Sequence, residues 1–207
     1  MVAGERLVAS DGKEVMLFPL PYLYISQGEN GSYSHQGTLN IDFLGWDANG
    51  RVYNAPLYAP CSCTCVHVES GADNGRVFQS NDMVHCADGV LRYVTFLFYH
   101  DNNPIASLGD TFTQGDLIGH TGTAGNVTGD HTHFNTAYGT YDGYVYVPPN
   151  NNSELKNSSH IYETCYVNDT VIVDGYGYNW IEYTGPTPTI TRGKFPWVLY
   201  ARKLRNR

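Results

Sequence analysis

Two histidines separated by a single residue stand out in the second half of the chain. His131 and His133 follow a glycine-rich run that extends from Gly119 to Gly129. Successive side chains of a β-strand alternate between its two faces, so residues i and i+2 point the same way. This spacing allows one imidazole to bind a metal ion while the other stands beside it.

A third histidine and a carboxylate lie upstream, at His35 and Asp42. We expect His35 in a loop and Asp42 inside a strand. A catalytic zinc ion usually takes three protein ligands and leaves its fourth position open, and His35, Asp42 and His133 would make such a set. A structural zinc site would close the fourth position with another Cys or His, and none is obviously placed to do so.

A zinc ion at such a site would lower the pKa of its bound water from about 15.7 toward about 7 and would polarise a scissile carbonyl. Peptide hydrolysis also needs a group that moves protons and a donor that stabilises the oxyanion. His131 and His100 are the available candidates for these tasks.

Three segments resemble, in order, the motifs of LytM/lysostaphin-type zinc metallopeptidases, the M23 family. A single His-x-His pair is common by chance, whereas the ordered set, which extends over roughly residues 20–140, is not. A further segment resembles the glycine-rich loop that precedes the His-x-His motif. The matching segments are Ser34–Gly37 with Ile41–Phe43, Phe98–Asp101 and Gly129–Phe134, and the loop is Gly115–Gly125.

The resemblance implies a role for each matching residue. His35, Asp42 and His133 match the zinc ligands, whereas His131 and His100 match the two catalytic histidines, which activate the water and stabilise the oxyanion. It also implies antiparallel β-sheets with a narrow groove over the metal. The implied substrate is a stem or cross-bridge peptide of bacterial peptidoglycan, and the implied cofactor is Zn²⁺.

Two departures from the best-known members favour a phage variant of the family. The interval from His35 to Asp42 is longer than the short His-x₃-Asp form, and His100 is followed by Asp101-Asn102-Asn103 rather than by leucine. Both features resemble M23 domains of phage lysins and phage tails.

The remaining histidines fall outside the expected ligand and catalytic sets. His120 lies in the glycine-rich loop and could line the groove. We expect His67, His85 and His160 to be structural or exposed to solvent.

The fold class is predicted to be mainly β, with antiparallel sheets, because no stretch has a helical period longer than two turns. Asp47-Ala48-Asn49-Gly50 and Asp88-Gly89 read as hairpin turns. The expected strands are Leu39–Leu44, Arg51–Leu57, Cys61–Val68, Val90–Tyr99 and His131–Tyr138.

A proline- and asparagine-rich run near residue 150 suggests a boundary between two parts. Residues 1–148 would form the M23-like zinc endopeptidase domain, and 149–207 a short β-rich C-terminal extension. The aromatic runs Val173–Tyr183 and Phe195–Tyr200 allow two interpretations of the extension. It could be a shortened SH3-like wall-binding module, or a small β appendage with these rings in its core.

Cys61, Cys63 and Cys65 alternate along one predicted strand, and Cys86 lies further on. They could form a metal site. However, the spacing lacks the C-x₂-C form that is typical of structural zinc, so small buried apolar side chains are the favoured interpretation.

The net charge is −8, so attraction to nucleic acid or to an anionic membrane is not expected. The start of the sequence does not resemble a signal peptide, and no stretch is long enough to span a membrane. We therefore expect a phage enzyme that reaches the wall either through a holin, as an endolysin, or as part of the virion, beside other tail proteins.

Two other functions remain open at this point. The chain could be a phage tail or wall-binding protein that uses an M23-like fold with little or no catalysis. It could also be a zinc amidase that cuts between sugar and peptide, although that class has a different fold and the motif order argues against it.

Overall fold

The computed structural model describes residues 1–173, 176, 178, 180 and 182–192, and these residues are almost entirely β-structure. The one described helix, α1, is the single turn Ile161–Thr164. The strands are β1 (Glu5–Ala9), β2 (Tyr22–Gln27), β3 (Ile41–Leu44), β4 (Trp46–Asp47), β5 (Gly50–Arg51), β6 (Pro56–Tyr58), β7 (Cys63–Val68), β8 (Arg76–Ser80), β9 (Val84–His85), β10 (Leu91–Arg92), β11 (Val94–Tyr99), β12 (Thr111–Phe112), β13 (Leu117–His120), β14 (Thr132–Tyr138), β15 (Tyr144–Val147), β16 (Asn152–Leu155), β17 (Ser158–Ser159), β18 (Val171–Ile172) and β19 (Pro188–Arg192).

A nine-stranded sheet carries most of these strands, in the order β12-β7-β8-β11-β14-β3-β2-β18, with β17 also paired to β14. Its pairs are antiparallel except for β18, which runs parallel to β2. Five two-stranded ladders, β1–β19, β4–β5, β6–β13, β9–β10 and β15–β16, complete the described part. The prediction of a mainly β protein with antiparallel sheets is confirmed.

The strands at the centre of the sheet have one face in the core and one face toward the site. Phe43, Phe98 and Phe134 are at most 5% exposed, and the rings of Phe98 and Phe134 stack with centroids 5.1 Å apart. Burying each such ring stabilises the fold by roughly 2–3 kcal/mol. Asp42 and His133 directly precede Phe43 and Phe134. Because side chains alternate along a strand, they point away from this core.

Both predicted hairpin turns are present. Strands β4 and β5 pair across the turn with Asp47 opposite Gly50, and Gly50 has a φ of 112°. Strands β9 and β10 pair across the Asp88-Gly89 turn, where Gly89 has a φ of 79°. Glycine has no Cβ, so it adopts a positive φ without steric strain. This explains the glycine at both turns.

The described cysteines are buried and free of disulfides. Cys61, Cys63, Cys65 and Cys86 belong to the main hydrophobic cluster together with Cys165. Burial raises the pKa of the Cys86 thiol to about 12, so it stays protonated at neutral pH. The interpretation of these residues as small core side chains is confirmed.

Residues on both sides of position 148 pair with each other. Strands β15 and β16 form a hairpin across it, β17 joins the main sheet, and Ile161 of α1 lies in the main cluster. The division into 1–148 and 149–207, and the SH3-like interpretation of the extension, stay predictions. Residues 193–207, with the run Phe195–Tyr200, lie outside the described residues.

Within the described residues, no helix has the length and apolar character needed to cross a membrane.

Candidate metal centre

Three neighbouring strands bring the predicted site residues together. In β14, at the centre, His133 lies opposite Asp42 of β3 on one side and opposite Tyr99 of β11 on the other. His100 directly follows Tyr99, and His131 directly precedes β14. The register of the sheet therefore places Asp42 and His133, which are 91 positions apart in sequence, side by side.

The three predicted metal ligands converge on one point. Nε2 of His35 lies 3.2 Å from Nδ1 of His133 and 3.3 Å from Oδ1 of Asp42, and the latter two atoms are 3.2 Å apart. Among the described residues, these three form a group of potential metal ligands, and their ligand atoms all lie within 4.8 Å of one another.

These distances match the requirements of a zinc ion. Four ligands arranged tetrahedrally at 2.0–2.2 Å from Zn²⁺ lie about 3.3–3.6 Å from one another, close to the separations found here. Two imidazole nitrogens and one carboxylate oxygen are also a donor set that zinc accepts in catalytic sites. The residues present therefore fit the metal.

Hydrogen bonding on the far side of the His35 ring directs a lone pair into the site. Nδ1 of His35 lies 3.2 Å from the carbonyl oxygen of Gly28, and a carbonyl oxygen only accepts, so Nδ1 donates. In a neutral ring Nε2 then has no hydrogen, and its lone pair faces Oδ1 of Asp42. Two acceptors at this distance repel each other unless a cation lies between them.

Asp42 is held as a carboxylate. Burial opposes its ionisation, but His133 and His35, when they are protonated and donate to it, outweigh burial and bring the pKa of Asp42 well below its ordinary value. Its second oxygen, Oδ2, accepts a hydrogen bond of 2.9 Å from Nε2 of Gln27. This leaves Oδ1 to face the two histidines.

Gln27 also holds the loop that carries His35. Its Nε2 lies 2.8 Å from Oγ of Ser34, and its Oε1 accepts the backbone N–H of Ser34 at 2.9 Å. One side chain thus ties the loop to the carboxylate of Asp42. The sequence analysis missed Gln27, and the signal that could have indicated it is a glutamine at the end of a strand of buried apolar residues.

His131 and His100 lie beside the three ligand candidates. Their ring centroids are 4.6 Å apart, and Nε2 of His131 is 3.8 Å from Oδ1 of Asp42. Nδ1 of His131 donates to the carbonyl of Gly129 at 2.8 Å, and Nδ1 of His100 donates to the carbonyl of Ala124 at 2.9 Å. In the neutral rings both Nε2 atoms therefore have a free lone pair.

The electrostatic environment keeps His100 neutral. Burial, followed by the nearby His131 and His133, lowers the pKa of His100 to about 4. Burial also lowers the pKa of His133. Both rings are consequently available as lone-pair donors at neutral pH.

The loops next to the site pack closely on its backbone. Gly122 and His131 exchange backbone hydrogen bonds of 3.0 and 2.9 Å, and a Cβ at Gly122 would collide with the carbonyl oxygen of His100. This close approach explains one glycine of the glycine-rich run. His100 itself has a φ of 80°, a conformation that residues with a side chain adopt rarely.

Asp130, which the sequence analysis did not single out, anchors the loop before His131. Its buried carboxylate accepts hydrogen bonds from Oγ1 of Thr121 at 2.7 Å and from the backbone N–H of Asn54 at 3.0 Å. Arg51 donates from Nη2 to its carbonyl oxygen and lies 3.6 Å from its Oδ1. An aspartate adjacent to a candidate catalytic histidine was the available signal.

The site opens into a cleft of about 750 Å³. Asp42, His100, His131 and His133 line it, whereas His35 is fully buried behind them. The walls include the end of β2, the open side of β3 and the loops around residues 126–130 and 150–153. A polypeptide could enter such a cleft from the surface.

The other predicted histidines lie elsewhere. His120 is absent from the described cleft lining, and its Nδ1 lies 3.6 Å from Oδ2 of Asp101. His85 pairs with Asp11 at 2.8 Å, and His160 with Glu29 at 2.7 Å. His67 packs against the ring of Tyr141, with centroids 5.4 Å apart.

No protein-family model matches the chain. Over 174 residues it is 42% identical to Morphogenesis protein 1 of Bacillus phage B103, and the match covers 83% of this chain and 45% of that protein. The chain therefore spans less than half the length of this relative.

Several solved structures show a weaker likeness. The catalytic domain of the antimicrobial peptidase lysostaphin from Staphylococcus simulans is 22% identical, with 56% of this chain and 79% of that chain covered and a TM-score of 0.41. The catalytic domain of the prophage-encoded M23 protein EnpA from Enterococcus faecalis is 16% identical, with 57% and 82% covered and a TM-score of 0.42. A zinc-containing peptidase from Vibrio cholerae is 17% identical, with 72% and 44% covered and a TM-score of 0.42.

Proposed function

We propose that this chain is a zinc-dependent endopeptidase that hydrolyses amide bonds in the stem or cross-bridge peptides of bacterial peptidoglycan. The observation that carries the proposal is the convergence of the ligand atoms of His35, Asp42 and His133 within 4.8 Å, with the adjacent rings of His131 and His100 outside that group. A site built only to hold a structural metal would have no use for the open cleft above it.

His35, Asp42 and His133 are the residues that would hold the metal. A zinc ion bound there supplies Lewis acidity, which acidifies a water molecule and polarises a carbonyl group. Gln27 contributes by fixing the orientation of the Asp42 carboxylate through Oδ2.

His131 and His100 would move the protons. Each has its Nδ1 hydrogen committed to a backbone carbonyl, so a proton taken from water can go only to Nε2. Once protonated there, the ring becomes a donor that can stabilise the oxyanion or pass the proton to the leaving amine. The lowered pKa of His100, about 4, keeps that ring in the proton-accepting form at neutral pH.

The proposed substrate rests on two supports. The ordered motifs resemble those of M23 peptidases of the bacterial cell wall, and the cleft is open at the surface and lined by polar side chains and loops. Which peptide bond is cut depends on loops that contact the substrate on either side of the metal.

We also propose that the chain is phage-encoded and acts on the wall during infection. The support is its 42% identity to a protein of Bacillus phage B103 that is named for morphogenesis. That name favours a protein of the particle over an endolysin, and it also keeps open a tail or wall-binding protein with little catalysis. Detection of the chain in purified virions would support the particle role, and its absence there would contradict it.

The test combines metal content and wall hydrolysis on the same preparations. We expect about one zinc ion per chain and the release of new amino groups from purified walls. His133→Ala should lose both, whereas the control His67→Ala, whose ring lies outside the cleft lining, should keep both. Zinc without hydrolysis would favour the structural alternative, and an intact chain that binds no zinc would overturn the metallopeptidase proposal.

A further inference from the structure

The cleft continues into an open surface formed by β2, β3 and β4. Ser26 and Leu44 line the cleft beside Asp42. On the same face, Tyr24 lies opposite Leu44 in the β2–β3 pair, and Trp46 follows Leu44 by two residues. The partly exposed rings of Tyr24 and Trp46 therefore extend the surface that begins at the metal ligand.

These two rings stack on each other rather than on the core. Their centroids are 4.5 Å apart and their planes differ by 19°. Neither ring belongs to, or packs against, the three hydrophobic clusters of the described residues. Burial in the core therefore does not account for two large aromatic side chains at this position.

Arg51 and Tyr53 lie next to the aromatic pair. Arg51 is opposite Trp46 in the β4–β5 hairpin, and it also lines the cleft. The ring of Tyr53 lies under its guanidinium at 5.1 Å, and Tyr53 is 71% exposed. Nη2 of Arg51 donates to the carbonyl oxygen of Asp130, and the Arg51 side chain stays 21% exposed beside the cleft.

We propose that Tyr24, Trp46, Arg51 and Tyr53, which we call the aromatic shelf, bind the glycan strand to which the substrate peptide is attached. The proposal rests on the proposed function, because it assigns a part of that substrate to the surface beside the site. The C–H faces of a pyranose ring are apolar and pack on aromatic rings, whereas its hydroxyl and N-acetyl oxygens accept hydrogen bonds from a guanidinium.

The separation between the metal site and the aromatic shelf is compatible with a sugar at the end of a short peptide. Trp46 lies four residues beyond Asp42, which corresponds to at most about 13 Å, the length of four residues of extended chain. An extended peptide covers the same distance in about four residues. A peptide of that length, cleaved near its far end over Asp42, would bring the sugar at its attached end to the shelf.

Direct binding of a peptide-free sugar tests the shelf without reference to catalysis. The probe is the tetramer of β-1,4-linked N-acetylglucosamine, titrated into the chain by calorimetry or NMR. We expect binding that weakens about tenfold or more in Trp46→Ala and in Tyr53→Ala, the second of which removes a ring from the surface alone. Tyr146→Ala removes a ring that is 69% exposed outside the cleft lining and should leave binding unchanged.

Kinetics on two substrates provide the second arm. Trp46→Ala should lower kcat/KM on glycan-linked wall peptides about tenfold and leave kcat/KM on the same peptides freed from sugar unchanged. An equal loss on both substrates would assign the shelf to peptide or to folding and overturn the glycan proposal, as would no loss on either. If the unmodified chain cuts neither substrate, the proposed function fails, while the sugar titration still decides whether the shelf binds glycan.

Discussion

Nε2 of His35 lies 3.3 Å from Oδ1 of Asp42, and when the His35 ring is neutral neither atom has a hydrogen to place between them. The His35 ring donates its hydrogen to Gly28 on the opposite side, and the Gln27 amide that donates to Oδ2 of Asp42 favours the ionised carboxylate. Two lone pairs held face to face inside a protein are unfavourable unless a cation or an extra proton joins them. The relationship explains why a metal should contribute to stability as well as to chemistry.

Removal of the metal should therefore destabilise the fold. A ligand that binds only the folded state stabilises it by RT ln(1 + [L]/Kd), which is about 4 kcal/mol when free zinc is a thousand times Kd. We expect Tm, measured by calorimetry, to fall in a chelator and to return when zinc is added in excess. His133→Ala should show the same Tm in chelator and in zinc, and a zinc-dependent Tm in that variant would contradict the ligand assignment.

Gln27 should control metal affinity although it does not contact the metal position. Its Nε2 holds Oδ2 of Asp42 at 2.9 Å, and its Oε1 holds the backbone of Ser34 in the loop of His35. We expect Gln27→Glu, which replaces the donor by a second carboxylate oxygen, to weaken zinc binding about 10- to 100-fold in a competition titration.

Gln36, a glutamine in the loop that carries His35, provides the control for this prediction. Gln36 contacts the carbonyl of Ser32 and the side chain of Asn150, and neither contact reaches the ligands. Gln36→Ala should keep the zinc affinity. If Gln27→Glu also keeps it, or if excess zinc fails to restore hydrolysis in Gln27→Glu, Gln27 does not act by orienting Asp42.

Two substitutions of His100 that both abolish hydrolysis should differ in their effect on stability, because the backbone conformation at this position suits only one of them. His100 has a φ of 80°, a region that asparagine tolerates and that β-branched residues avoid. We expect His100→Asn to fold with nearly unchanged Tm and to lose hydrolysis, because it has no ring nitrogen for the proton. His100→Val should lose hydrolysis and also about 1–3 kcal/mol of stability. Equal stabilities of the two variants, from denaturant titrations, would show that the backbone relaxes.

The sequence predicted the residues that meet at the site better than the elements that bring them there. His35, Asp42, His100, His131 and His133 were identified from motif order and from strand alternation, and these residues lie together. Alternation is a local property, so it could assign Asp42 and His133 to one side of their strands. The pairing of β14 with both β3 and β11 joins distant segments, and nothing local specifies it.

The strands that the sequence did not predict are those that form because of tertiary contacts. Strand β13 lies inside the segment Gly115–Gly125, which resembles a glycine-rich loop, yet it pairs with β6 through an irregular register between Leu117 and Gly119. Strands β1 and β19 pair across nearly the whole described chain. Gln27 and Asp130 were missed for a related reason, since their importance lies in partners such as Ser34 and Thr121 rather than in their own motif.

The lowered pKa of His100 should appear in the pH dependence of stability. Burial first, and then His131 and His133, lower this pKa from an ordinary value of 6.5 to about 4 in the folded chain. Between pH 4 and 6.5 the unfolded chain therefore binds more protons at this position than the folded chain does, so the free energy of unfolding rises with pH across this window. The contribution to the rise is at most about 3 kcal/mol, and a bound cation nearby would act in the same direction.

His100→Asn removes the titrating ring and keeps a residue that tolerates the local backbone. We expect its free energy of unfolding, from denaturant titrations at pH 4.5, 5.5 and 6.5, to depend less steeply on pH than that of the unmodified chain, and parallel pH profiles would show that His100 titrates normally in the folded state.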